Sequence, residues 1–503
     1  MAVYRRQLIA LLLLLLAVCR ADGAAAEYFI DSDAANDSAN GTSTNTPWKR
    51  APGMVNFAGS YSHANGDIFW FRGGKTWTNQ WTIANSGALG SEDVYRSHRT
   101  WPSGTDAQAI FDGGGQNRAA GMIAATAKHN LKFIDLSIVN HGLTGDAGAG
   151  GPQALNFLEC TNFTMMFCTN ATYCQRMAYF HYDTAGRYKS PNFTSNDVSH
   201  VGSMLWEASS TANVYMDGLV MRKNRLHDGA SQIGGTSPDG IHGDGLIHGF
   251  SVPNNTSSQY HTNFVIEGNI CDGDWRRSFG NDGAMTAWIY FEDWCFGTIQ
   301  NNIIAPNPVQ ASLAGSFINI GGSTPLDDCD VGIYNNTLIN DGTSSASAGF
   351  LFAFQAAATS WTIDLRNNIM DGLTYAVWFE QTNGTVTTDY NCFRSGSGQL
   401  GWGTTGGGGV NGQTYAVWQG AGKDTHGVLG SDPLVVNAAS DFHLQAGSPC
   451  VGAGIQLNSI FTIDYDGVTR GSTWDIGAFE YSAAAPPVTV DTYRALRWRN
   501  LRR

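Results

Sequence analysis

The sequence predicts an all-β chain wound as a single-stranded right-handed parallel β-helix, a solenoid with N- and C-terminal caps. Three observations predict it. First, Gly supplies 61 of the 503 residues and charged residues only 14%, against roughly 7% Gly and 25% charged residues in ordinary domains. Second, an Asn recurs at the sixth position of six segments: PNFTSND from 191, LVMRKNR from 219, FVIEGNI from 264, GTIQNNI from 297, VGIYNNT from 331 and IDLRNNI from 363. Third, apolar residues keep step with it. Phe193, Met221, Ile266, Ile299, Ile333 and Leu365 stand three positions before the Asn, and Val198, Leu226, Cys271, Ile304, Leu338 and Met370 two positions after.

The composition excludes other classes. Seven Lys are too few for a coiled coil or helical bundle, 42% hydrophobic and 12% aromatic residues are too many for a disordered chain, and 14 Pro do not fit collagen.

In chain order, residues 1–26 read as a secretory signal. Arg5 and Arg6 form a basic start, Leu8 to Val18 an apolar run too short to span a bilayer comfortably, and Ala24-Ala25-Ala26 a small-residue cleavage site. The expectation is a secreted, cell-surface or periplasmic monomer with no membrane span. Without that segment and the tail after Tyr481, the body holds 21 basic and 40 acidic residues, a balance that repels nucleic acid. Eight Cys remain after Cys19 leaves, with no CxxC pair among them, so export favours disulfides over zinc.

Residues 27–120 are expected to form the N-terminal cap and first coils, and 121–395 the main coils. Across the latter the ladder residues Asn196, Asn224, Asn269, Asn302, Asn336 and Asn368 are spaced by 28, 45, 33, 34 and 32 residues, room for about three short strands per coil. An Asn tolerates left-handed bends and bonds nearby backbone, and Asn side chains stacked in successive coils can bond one another. Cys295 and Cys329 each lie seven residues before a ladder Asn, which stacks them in adjacent coils as a candidate disulfide or as two buried thiols. Residues 396–481 hold the Gly-rich stretch GWGTTGGGG and a closing segment. Residues 482–503 are a Pro/Ala-rich then basic tail.

This pattern resembles the pectate-lyase-like superfamily of secreted β-helix proteins over roughly residues 27–481. FIDSDAANDSANGTSTNTPWKR followed by GDIFWFRGGKTW is similar to the entry segment of such chains. SDPLVVNAASDFHLQAGSPCVGAG followed by DYDGVTRGSTWDIGAFEY is similar to their closing segment. The resemblance implies a polysaccharide-active protein and leaves the chemistry open, because one fold hosts many functions.

One strand of each coil lies well upstream of its Asn. Side chains alternate across a strand. If Ile241, Ile247, Ile289 and Phe291 point inward, then His242, Asp244, His248, Trp288, Tyr290 and Glu292 point outward. The same rule puts Trp378, Glu380, His181 and Asp183 outward and leaves Glu207 ambiguous. Exposed aromatic faces beside acids suit a glycan. The 45-residue interval carries SPDGIHGDGLIHG, extra length that supplies a loop beside this strand stack.

Three functions follow from these residues. In a glycoside hydrolase, Asp239 and Asp244 would be the acid/base pair with Glu292 or Glu207 as substitute carboxylate, His242 tuning or binding, and Trp288, Tyr290 and Trp378 as sugar subsites; no cofactor is required. A polygalacturonase-like hydrolase carries Asn-Thr-Asp-Gly, then Asp-Asp, then Gly-His-Gly. Here Ser237-Pro238-Asp239-Gly240 matches the first in part, no Asp-Asp pair follows at the matching place, and Ile247-His248-Gly249 stands at the last. In a polysaccharide lyase, Arg276, Arg277, His242, His181 or Tyr182 would serve the elimination, and Asp272, Asp274 and Asp282 would hold Ca²⁺. The few Lys and the acidic body weigh against a polyanionic substrate. The third reading is a non-catalytic surface protein that binds glycans.

Overall fold

The computed structural model describes residues 24–116, 120–141, 153–171, 176–199, 206–210, 213–228, 243–249, 259–273, 285–291, 294–306, 316–321, 329–340, 348–352, 361–379, 384–395, 399–400 and 413–483. Among them, three long sheets of 14, 12 and 12 strands, here A, B and C, run the length of the molecule. Coils contribute strands to the sheets in the order C, B, A, as in Arg225–His227, Gly243–Gly249 and Gln259–Glu267, and two coils give sheet A an extra strand, Gly186–Lys189 and Val214–Asp217. Neighbouring coils pair in parallel, so the chain is a parallel β-helix. Among the described residues no helix is long and apolar enough to cross a membrane.

The repeat maps onto the turn between sheets A and C. Phe193, Met221, Ile266, Ile299, Ile333 and Leu365 pair strand to strand on sheet A, and each is fully buried. Val198, Leu226, Cys271, Ile304, Leu338 and Met370 form the matching column on sheet C. Between the columns the Asn side chains form a ladder. Asn302 Nδ2 donates to Asn336 Oδ1 at 2.9 Å and to the Ile266 carbonyl at 2.8 Å, and the Asn302 backbone N–H reaches Asn336 Oδ1 at 3.0 Å. Every other rung from Asn196 to Asn368 repeats the interlocking bonds to the next Oδ1.

The structure adds two features to the ladder. The left-handed residue is the one before the ladder Asn: Asn301, Asn335 and Asn367 have φ of 53, 51 and 57°. This frees the ladder side chain to turn inward. The ladder also continues past Asn368 through Asn391 and ends on the carboxylate of Asp424. That carboxylate accepts from Asn391 Nδ2 at 2.7 Å, Thr388 Oγ1 at 2.6 Å and Trp418 Nε1 at 2.8 Å. A terminal group offered only donors suits a carboxylate, which accepts at both oxygens; burial raises the pKa of Asp424.

The two ends close differently. At the N-terminus Trp48 is buried, stacks on Tyr28 at 4.9 Å and donates to the Ala39 carbonyl at 2.7 Å. At the other end the short helix Tyr415–Gly420 places Trp418 over Phe379, with the rings 16° apart. Residues 431–481 then run back along the flank instead of covering the last coil. Asn367 holds the Ile455 carbonyl, Asn335 those of Asp475 and Gly477, and Asn301 that of Ile463. Lys223, two coils further back, bonds the Tyr465 carbonyl. The left-handed Asn residues thus clamp a returning segment.

His443 of that segment lies between Asp441 at 2.6 Å and Asp466 at 2.9 Å. Burial opposes its protonation, but hydrogen bonds to Asp466 and Asp441 outweigh this and raise its pKa. The stabilisation is therefore complete below the ordinary His value of about 6.5 and is lost as pH rises through the raised value. Urea midpoints measured from pH 5.5 to 9 are expected to fall across that window, and Asp466→Asn to flatten the fall.

Cys295 and Cys329 pair directly in neighbouring strands of sheet A, with sulfurs 2.7 Å apart. Cys271 is buried on the apolar column of sheet C.

Candidate functional site

Sheet B carries the face on which sequence reasoning placed the ligand. Its strand pairing aligns one row of positions across nine coils: Ala124, Asn156, Tyr179, Glu207, His248, Tyr290, Asn319, Leu351 and Trp378. Phe157, Phe180, Ile289 and Val377, one position on or before, are fully buried in the core. Asn156, Tyr179, Tyr290 and Trp378 are partly exposed, so alternation puts this row on the outer face. Strands lie roughly 4.8 Å apart, so Tyr179 to Trp378 spans about 29 Å. Glu207, His248 and Tyr290 occupy three successive positions at its middle.

The Glu207 backbone pairs with Tyr179 and His248 in this row; its side chain, like that of His248, lies outside the described residues. Trp378 lies on the outer face, its ring edge-on to Tyr375 at 5.2 Å. Tyr290 is partly exposed there.

One expectation for this face is corrected. Trp288 keeps the outward parity but is only 1% exposed, packed edge-on against Phe317 at 5.0 Å and crowding Gly245, so it is no open sugar platform. Register shifts between Gly243 and Ile247 pair the Asp244 backbone with Ala287; the Asp244 side chain lies outside the described residues. A bulge adds a residue and breaks the period of two.

Asp272, an expected Ca²⁺ ligand, sits on sheet C in a fork with Arg225, both N–O distances 2.9 Å. Beside it His227 bridges Asp197 at 2.9 Å and Asp228 at 2.7 Å. Burial opposes its charging, but hydrogen bonds to those carboxylates raise its pKa. This network sets three carboxylates against two basic side chains at the base of the 45-residue interval. Among the described residues no group of three or more His, Cys, Asp or Glu is arranged to hold a metal ion. Asp239, His242, Asp274, Arg276, Arg277, Asp282, Glu292 and Glu380 lie outside the described residues.

His181 and Asp183 are on the face, and they come with a partner that sequence reasoning missed. His181 Nε2 lies 2.7 Å from Asp183 Oδ1, and His181 Nδ1 lies 3.2 Å from the Tyr179 hydroxyl. Glu159 fixes the turn beyond them, accepting from the Asp183 and Thr184 backbone N–H groups at 2.6 and 2.8 Å and from the Tyr188 hydroxyl. The signal for Tyr179 was in AYFHYD: it stands two before His181, on the same face by alternation.

No protein-family model matches the chain, and no curated protein matches it. Among solved structures it is similar to pectate lyase Pel9A (14% identity, TM-score 0.47, 92% of this chain and 98% of that one). It is also similar to the GH136 lacto-N-biosidase of Eubacterium ramulus (10% identity, TM-score 0.43, 74% and 64%) and to an alginate lyase of Paenibacillus sp. str. FPU-7 (14%, 0.35, 68% and 88%). The fold assignment stands on the chain's own sheet pairing.

Proposed function

We propose that this chain is an exported enzyme that cleaves a polysaccharide laid along the outer face of sheet B, by hydrolysis with Glu207 as general acid. The observation that carries the proposal is the single row that sets the backbones of Tyr179, Glu207, His248 and Tyr290 on successive strands of a face about 29 Å long that ends at Trp378. Such a face offers aromatic surface to sugar rings, and a carboxylate residue within the row suits protonation of a glycosidic oxygen. The acidic body favours a neutral or weakly charged chain over a polyuronate.

A second reading, elimination, is favoured by one feature: His248 and Tyr290 are adjacent in the row, and either could remove a carbon-bound proton. Purified protein incubated with xylan, galactan, mannan and arabinan, and with polygalacturonate and alginate, separates the readings. Hydrolysis releases reducing ends from a neutral glycan with no ultraviolet absorbance. An absorbing unsaturated product from a uronate would establish elimination instead. Binding without turnover on any of the six would make this a glycan-binding protein.

A further inference from the structure

The geometry points to Tyr179 as the proton-accepting residue of the site, activated by His181 and Asp183; this rests on the proposed hydrolysis. Among the nine paired positions of the row only Glu207 is a carboxylate residue, and a hydrolase needs a second group to take a proton from water. The position next to Glu207 in that row is Tyr179, one strand spacing away.

The hydrogen bonds give transfer a direction when the imidazole is neutral. A carboxylate only accepts, so the 2.7 Å contact to Asp183 then takes the proton on Nε2. Nδ1 is left as the acceptor facing the Tyr179 hydroxyl at 3.2 Å. A phenol held against a base that is itself oriented by a carboxylate follows the logic of the hydrolytic triads, with phenol in place of alcohol. Glu159 serves as a positioning residue. Its carboxylate binds the backbone N–H groups of Asp183 and Thr184, which aims Asp183 at the imidazole.

In the step, a water O–H bond breaks as the water oxygen bonds the anomeric carbon. Its proton goes to Tyr179 Oη, and the phenol's own proton moves to His181 Nδ1, leaving an imidazolium against Asp183. The glycosidic C–O bond breaks, its electron pair stays with the departing oxygen, and that oxygen takes the carboxylic proton of Glu207. Return of the imidazolium proton to Glu207 through solvent resets the site.

Two measurements test the relay, one without substrate. N-acetylimidazole acetylates activated phenols, and peptide mass spectrometry reads the rate at Tyr179. The rate is expected to fall about tenfold in His181→Phe and to fall in Asp183→Asn. Equal labelling in wild type and His181→Phe overturns the relay, whatever the glycan panel gives. On the neutral glycan of the panel with the fastest turnover, Tyr179→Phe is expected to lower kcat at least about 100-fold with KM within about threefold. Unchanged kcat removes Tyr179 from the chemistry. No turnover by the wild type would defeat the proposed hydrolysis, while the labelling still decides whether the relay exists.

Discussion

Replacing Glu207 with Gln is expected to reduce kcat on the neutral glycan by about 10²- to 10⁴-fold, the range a positioned general acid contributes. Gln keeps the size and polarity of the side chain and removes the transferable proton, so KM and the circular-dichroism spectrum should stay close to wild type. The pH dependence carries a second signature. Wild-type turnover should fall on the alkaline side as the acid loses its proton, and that limb should vanish in the variant. Activity within threefold of wild type would remove Glu207 from the chemistry and move attention to Asp239 and Asp244. The expectation rests on the backbone pairing that puts Glu207 between Tyr179 and His248.

Asn336→Ala is expected to destabilise the chain by about 3–5 kcal/mol, because several buried polar groups lose partners together. The Asn302 backbone N–H and Nδ2 both lose their acceptor. The Ile299 carbonyl loses its donor from Asn336 Nδ2, and Asn368 Oδ1 loses one of its two donors, keeping the backbone N–H of residue 336. Asn336 itself is fully buried, so water cannot readily replace those bonds. Urea unfolding followed by tryptophan fluorescence should show the midpoint shift. The exposed Asn458→Ala serves as control and should move by less than about 0.5 kcal/mol. Equal midpoints for the two variants would mean that the ladder contributes nothing beyond turn geometry.

The fold was legible because its rule is local and repeats. Every coil must turn at the same place, and the same Asn with the same apolar flanks solves that turn each time. Asn391 and Asp424 escaped the count because the intervals there, 23 and 33 residues, accompany a change of turn sequence and then of residue type. The returning segment was not legible at all. Asn301, Asn335 and Asn367 stand beside ladder residues, and nothing local distinguishes a side chain facing water from one that clamps a distant carbonyl.

The site was legible in part. Alternation correctly separates inner from outer positions where a strand is regular, as for His181 and Trp378. Its period of two is interrupted between Gly243 and Ile247, where a bulge inserts a residue. It also cannot register burial from above, which is why Trp288 read as an open platform and is instead packed. Tyr179 was passed over because its meaning depends on His181 and Asp183 bonding in sequence, a fact of side-chain geometry.

By itself, the sequence determined that this chain is a solenoid, where its coils turn, and which residues fill its interior, since those follow from requirements met within a few residues. Only the tertiary structure decided which residues meet across coils. Tyr179, Glu207, His248 and Tyr290 are separated by 28, 41 and 42 residues, and loops of unequal length absorb the differences. Interstrand hydrogen bonds, not sequence offset, bring them into one row.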